Sequence, residues 1–359
     1  MEKNVVIVTG SSGRIGSSVV RRLGANYKIV GFELLRALYA SANEELVPVD
    51  IGSDESVHQA FTHIRNFYGN KITSVVHLAA YYSFSDQRYD NYDRITVKGT
   101  ERLVRALQKF DVEQFIFSST MLVHTPCKLG GVITENSPAV PRWAYPRSKI
   151  ETEEMLHRLR GNMPVVNLRI AGVYDDMCHS IPISHQIQRI YEKQLEARVF
   201  AGTTQAGASF LHMDDLVDAI MLCLAKRKEL PPEVTFLLGE PATLSYDTMQ
   251  REISRLLFGK EISTISVPKL IAKIGAYVQL ALSFKNPPFI RPWMIDLADD
   301  NYVIDVSLAK RLLGWEPKHS VKNTLPIMID ALKKDPIAWY KNNGLNPSKI
   351  LHHARSLSR

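Results

Sequence analysis

Asn4-Val-Val-Ile-Val-Thr-Gly-Ser-Ser-Gly-Arg-Ile-Gly16 is the stretch on which the fold turns. Val5 to Val8 is an uninterrupted apolar run, suited to a strand buried on both faces of a parallel sheet. Gly10, Gly13 and Gly16 then punctuate the start of an amphipathic stretch, Ile15 to Leu23. Residues without a Cβ let a turn approach a ligand, and the first helical N–H groups with the positive end of the helix dipole attract phosphate. The G-x-x-G-x-x-G spacing is one residue longer than the G-x-G-x-x-G dinucleotide fingerprint. The reading is a strand, turn and helix that hold a diphosphate on Gly10, Ser12, Gly13, Arg14, Ile15 and Gly16.

Downstream, strands and helices alternate. Lys28 to Phe32 reads as a second strand ending at Glu33, 17 residues after Gly16. A carboxylate there binds the adenosine ribose hydroxyls and repels a 2′-phosphate, which favours NAD; Arg14 and Arg36 keep NADP open. A third strand, Leu46 to Val49, places Asp50 and Ile51 at its end, with Asp50 facing the adenine amino group or capping the helix Asp54 to Tyr68. A fourth, Ser74 to Leu78, runs into Ala79 and Ala80, small enough for backbone to lie against a cofactor. A helix over 91–110, a strand Glu113 to Ser118 and a strand Met163 to Arg169 complete six βα alternations. They predict an α/β fold, a Rossmann-type doubly wound parallel sheet. Beyond Gly172 the rhythm changes to helices at Ile183–Gln194, Asp214–Ala225, Ser245–Phe258 and Val321–Lys333. The expected organisation is a nucleotide domain at 1–172, a smaller mixed α/β substrate lobe at 173–335 interleaved with it, and a basic tail at 336–359.

The 359 residues carry a net charge of +7, with 45% hydrophobic and 23% charged residues, an ordinary globular composition. Four excess cations, Lys341, Lys349, Arg355 and Arg359, follow the last acid, Asp335, and the others are interleaved with acids, so no specific nucleic-acid partner is expected. Three scattered cysteines, Cys127, Cys178 and Cys223, form neither a metal-ligand pair nor a disulfide framework and point to a reducing cytoplasm. No leader is expected ahead of the first strand. His124, His179, His185 and His212 lack ligand spacing, so no metal is expected. Val267 to Phe284 is apolar, but its lysines and Pro268 argue against a transmembrane segment and for a pocket-covering or interfacial helix.

Tyr145-Pro-Arg-Ser-Lys149 is the second informative stretch. Residues four apart share a helix face, so phenol and ammonium address one pocket. A nearby cation favours tyrosinate and turns a phenol of pKa ~10 into a usable base. Tyr145 then exchanges a proton with a hydroxyl while hydride moves to or from the carbon. Phe117-Ser-Ser-Thr120 closes the fifth strand at the crevice, where Ser118 meets the cofactor and Thr120 orients the reacting oxygen.

With these pieces in order, the chain resembles the extended short-chain dehydrogenase/reductases, the NAD-dependent epimerase/dehydratase family. The matching segments are Thr9 to Gly16, His77 to Ala80, Val97-Lys-Gly-Thr100, Ser118 to Thr120, Tyr145-x-x-Ser-Lys149, Leu168-Arg169 and Phe210 to Asp215. The resemblance implies catalytic Thr120, Tyr145 and Lys149, with Lys149 also holding the nicotinamide ribose. It also implies a homodimer through the helix over 91–110 and the Tyr145 helix. Gly172 stands where sugar-nucleotide epimerases carry asparagine, Asp175-Asp176 where they carry Gly-Pro, and Thr96 where an asparagine is common. Pro287 to Phe289, Tyr302 to Asp305 and Ala309 to Pro317 are similar to 3β-hydroxysteroid dehydrogenase-like members. The expected activity is therefore NAD(P)-dependent hydride transfer at a secondary alcohol or ketone of a small molecule. A nucleotide-sugar epimerase or dehydratase is the alternative, and a non-catalytic dinucleotide sensor the reading of another class.

Overall fold

The computed structural model describes residues 4–34, 44–83, 88–282 and 290–347. Seven strands form one parallel sheet: β1 (Val5–Thr9), β2 (Lys28–Glu33), β3 (Glu44–Pro48), β4 (Ser74–His77), β5 (Phe115–Thr120), β6 (Val165–Ile170) and β7 (Glu233–Leu238). Their order is β7-β6-β5-β4-β1-β2-β3. The chain winds outward from β1 in one direction and, from β4, in the other. The crevice at the carboxyl ends of β1 and β4 is where such sheets bind ligands.

Side-chain alternation along β1 sorts the two faces. Val6 and Val8 pack with Val19, Val20 and Leu23 of helix α1 (Arg14–Leu23) and with Leu216 and Ile220 of the later helix Met213–Ala225. Val5 and Ile7 pack with Val57 and Ile64 of α2 (Asp54–Tyr68), Leu103 and Val104 of α3 (Lys98–Leu107), and Met155 and Leu156 of α4 (Ala144–Leu159). The helix expected over 91–110 begins as a π-helical segment, Tyr92–Val97, before the α-helical α3.

A seventh strand lies inside the stretch assigned to the lobe. Glu233–Leu238 pairs in register with Val165–Ile170, so the chain returns to the first sheet after leaving it. Helices α5 (Ile181–Tyr191), α6 (Met213–Ala225) and α7 (Tyr246–Phe258) follow the expected helical patterns to within a few residues. Helices α8 (Lys269–Leu282), α9 (Ser307–Leu313) and α10 (Val321–Lys334) complete the lobe. The expected tail is corrected at its start. Pro336–Asn342 forms α11, with Asp335 accepting from the Ala338 N–H as its cap. Trp339 and Tyr340 are buried against α5, α7 and α10, because large aromatic area outweighs the local basic charge. Arg36, Pro287 to Phe289, Lys349, His352-His353, Arg355 and Arg359 lie outside the described residues.

Candidate active site

The glycine turn is built by close approach. Gly10 has φ +68°, and a Cβ there would sit 3.0 Å from the Ala79 nitrogen; a Cβ on Gly16 would sit 2.1 Å from the Gly10 carbonyl oxygen. The turn is tied to the ends of β2 and β4. The Glu33 carboxylate accepts from the N–H groups of Ser12 (3.0 Å) and Leu34 (2.9 Å). Thr9 Oγ1 accepts from Leu78 N–H (3.2 Å) and Ala79 N–H (3.1 Å). The hydroxyls of Ser11 and Ser12 are buried beside this turn without a partner among the described residues. Unsatisfied donors at a helix N-terminus fit a diphosphate, and Glu33 fits a ribose diol; the residues present thus suit a dinucleotide. Asp50 is committed to a turn, its Oδ1 accepting from Gly52 N–H at 2.8 Å, while Ser53 caps α2. Ile51 is buried against Gly99.

His77, quoted above only as part of a motif, anchors the end of β4. The Thr100 hydroxyl donates to the Thr96 carbonyl (2.6 Å), so it accepts from His77 Nε2–H (2.8 Å). Nδ1 then accepts from the Thr9 hydroxyl at 2.7 Å. Burial, with a smaller contribution from the Lys149 charge, pushes its pKa down to about 3, so the ring stays neutral.

Thr120, Tyr145, Lys149 and Ser118 converge at the end of β5. Tyr145 and Lys149 lie on one face at the start of α4, and the Thr120 hydroxyl lies near enough to the Tyr145 phenol to oppose the rise in its pKa. Lys149 Nζ donates to the Ser118 carbonyl at 2.6 Å and lies 5.9 Å from the centre of the Tyr145 ring. The Ser118 hydroxyl is spent on the His77 carbonyl (3.0 Å). Tyr82 meets Tyr145 edge-on at 4.9 Å, and Tyr92 lies behind it.

The proton inventory differs from the expected one. Burial raises the Tyr145 pKa above its ordinary value, aided by Tyr82 and opposed by the Thr120 hydroxyl. Burial lowers Lys149 to about 7, opposed by Glu153. The lysine is too desolvated to hold a full charge, so it does not by itself make Tyr145 a base.

A buried network that the sequence reading missed stands behind this trio. Arg169 donates to Glu153 (2.6 Å from Nη2), to His124 Nε2 (3.0 Å) and to the Glu135 carbonyl (3.0 Å), and Ser119 donates to Glu153. His124 Nδ1–H donates to the Ser137 carbonyl, and burial lowers its pKa to about 4. Glu153 follows Lys149 by one turn on the same face, which was the available signal.

His212 caps α6, its Nδ1 accepting from Asp214 N–H at 3.2 Å. His319, not singled out above, stacks on it at 4.1 Å, and donor atoms of His212, Asp214 and His319 lie within 4.8 Å of one another. With His212 Nδ1 already accepting and the rings near parallel, their lone pairs do not converge on one point. Across the cleft, Arg14 donates to the His179 carbonyl (3.4 Å) and His179 pairs with Asp175 (2.5 Å), joining the glycine turn to the lobe.

The glycine turn at the end of β1 and the Thr120, Tyr145 and Lys149 side chains at the end of β5 lie on one parallel sheet, with β4 between them. A profile of the NAD dependent epimerase/dehydratase family matches residues 6–239, and the chain belongs to that family. It is similar to the UDP-glucose 4-epimerase of Vibrio cholerae, 25% identical over 329 residues that cover 88% of this chain and 92% of the relative. It is also similar to the 2-alkyl-3-oxoalkanoate reductase of Shewanella oneidensis, 23% identical over 332 residues that cover 88% and 83%. Its fold matches the crystal structure of UDP-glucose 4-epimerase with UDP-glucose from Thermotoga maritima: TM-score 0.69, 22% identity, 92% of this chain and 99% of that one. The matched profile ends at residue 239, short of Tyr302 to Asp305 and Ala309 to Pro317, so the likeness to 3β-hydroxysteroid dehydrogenase-like members gains no support from it.

Proposed function

We propose that this enzyme transiently oxidises a secondary alcohol carbon of a nucleotide-linked sugar and returns the hydride within one turnover, as an epimerase or dehydratase. The observation that carries the chemistry is the convergence of Thr120, Tyr145 and Lys149 at the end of β5. The Vibrio cholerae relative, aligned over most of both chains, supports the sugar substrate over the net dehydrogenase reading. NAD would be held on Gly10 to Gly16 and Glu33 and would supply the hydride acceptor and, when oxidised, a positive charge. A positive charge close to the phenol would offset the burial that otherwise keeps Tyr145 protonated. Tyr145 takes the substrate hydroxyl proton and gives it back on reduction, Thr120 holds the phenol and the substrate oxygen in line, and Lys149 holds the end of β5 against α4. A homodimer through α3 and α4 belongs to the same reading, as the resemblance implies.

One observation favours a second reading, an alcohol–ketone oxidoreductase with an apolar substrate. A Cβ at Gly172 would lie 2.9 Å from the Phe210 ring, so Phe210 fills the space that a sugar-recognising asparagine would need. Incubation with NAD and two panels, nucleotide sugars and apolar secondary alcohols, separates the readings. Epimerised or dehydrated sugar without net NADH supports the proposal; NADH released with an apolar alcohol, and no sugar turnover, overturns it.

A further inference from the structure

Helix α8 is amphipathic in the inverted sense. Lys269 and Lys273, with Ala272 and Ala276, face the body: Lys269 pairs with Asp299, Lys273 with Asp296 at 2.7 Å, and Ala276 packs on Ala201 and Ile295. Leu270, Ile271, Ile274, Tyr277 and Val278 face outward, each 54% to 72% exposed. Among the described residues the exposed positions of this helix carry no charge. Single exposed apolar residues are ordinary, but five on one helix face are a patch. The patch extends sideways. Gln279 donates to Glu196 (3.1 Å), which seats α8 beside Leu195, and Val199 pairs in register with Ile265; all three of these apolar residues are exposed.

The charges at its rim choose the occupant. Glu261 is paired with Arg251 (3.2 Å) and Glu196 keeps its charge under the neutral Gln279 amide, while the exposed Arg198 and Lys260 have no ion-pair partner among the described residues. Between Glu261 and Asp296 the sequence contains no acidic residue. An uncharged apolar face with unpaired cations at its edge matches a bilayer with anionic headgroups. Apolar side chains enter the acyl boundary, and the cations meet the surface potential. No described helix is long and apolar enough to cross a membrane, which leaves a helix lying in the interface.

We propose that the outward face of α8, with Leu195, Val199 and Ile265, docks this protein on an anionic lipid surface. This goes beyond the proposed function and holds for either substrate. Trp293, in the turn that packs beneath α8, contacts Trp143, two residues before Tyr145, so the docked elements adjoin the start of the active-site helix.

The test is co-sedimentation of the full chain with sucrose-loaded vesicles of phosphatidylcholine alone or with about 30% phosphatidylserine. Binding should be about ten-fold stronger to the anionic vesicles and weaken in high salt. Ile274→Glu should lose about ten-fold or more of it with an unchanged melting temperature. If Ile274→Glu folds poorly, the milder Leu270→Ser/Val278→Ser double variant carries the comparison. Binding to neither vesicle, equal binding to both, or undiminished binding of a folded variant overturns the proposal. So does light scattering in which Ile274→Glu alters self-association without any vesicle binding, since the face then belongs to a second copy.

Discussion

The ammonium of Lys149 donates to the carbonyl of Ser118 at 2.6 Å, closing the start of α4 onto the end of β5. It binds strand to helix with a group whose own charge is marginal, since burial brings its pKa to about 7. The lysine thus shapes the site through position as much as through its field.

Tyr145→Phe removes the only part of the phenol that exchanges protons and leaves the ring packing against Tyr82 and Tyr92 intact. Turnover should fall about 10²- to 10⁴-fold, with NAD affinity little changed. Stopped-flow turnover beside a fluorescence titration of cofactor checks it. Full turnover in the Phe variant would take the proton-transfer role away from this residue.

Glu153→Gln tests the buried network. Glu153 raises the Lys149 pKa, so its neutralisation should move the limb of the kcat/KM profile that reflects loss of the ammonium to lower pH. The same change leaves Arg169 buried with an uncompensated charge, a cost of about 3–5 kcal/mol in urea unfolding. An unmoved pH limb in a destabilised variant would reduce Glu153 to a packing role.

His77 and His124 are held neutral in the fold, with pKa values about 3 and about 4 against an unfolded value near 6.5. The unfolded chain therefore binds more protons between those limits, so stability is complete above about pH 6.5 and declines as pH falls toward 3. Urea midpoints measured from pH 7.5 to 4.5 should decline on this account. His77→Gln should flatten the slope, while an unchanged slope would assign the acid sensitivity to other groups.

Gly172→Asn should destabilise the protein by about 1–3 kcal/mol, because its Cβ meets the Phe210 ring. Adding Phe210→Ala should recover part of that loss, a positive coupling that a double-mutant cycle reads directly. Additive effects would mean that ring and residue 172 do not compete for one space. If the double variant also gains turnover of a nucleotide sugar, Phe210 sets substrate choice.

The first half of the fold was legible because its signals are local. A continuous apolar run, three spaced glycines and a Tyr/Lys pair four apart each constrain neighbouring residues, and β1, α1, α2 and α4 follow from them. β7 was not legible. Glu233–Leu238 is an unremarkable apolar run whose partner, β6, lies more than sixty residues earlier, and no local spacing announces that pairing. The His77 and Arg169 networks were hidden for the same reason: Thr9, His77 and Thr100 are brought together only by the sheet. For Tyr145 the local spacing predicts a low proton affinity, whereas burial under Tyr82 and Tyr92 raises it. The inward lysines of α8 could not be read either, since Asp296 and Asp299 come from the segment that follows.

The close approach of Gly10 to Ala79 has a consequence for synthesis. A nascent chain emerging from the ribosome amino end first carries its nucleotide loop early, but the wall that shapes this loop arrives only with residue 79, and the far edge of the sheet only with residue 238. The cradle is finished late, so an amino-terminal fragment cut near the apparent boundary at 172 should expose the flank of β6 and aggregate rather than persist as a nucleotide holder.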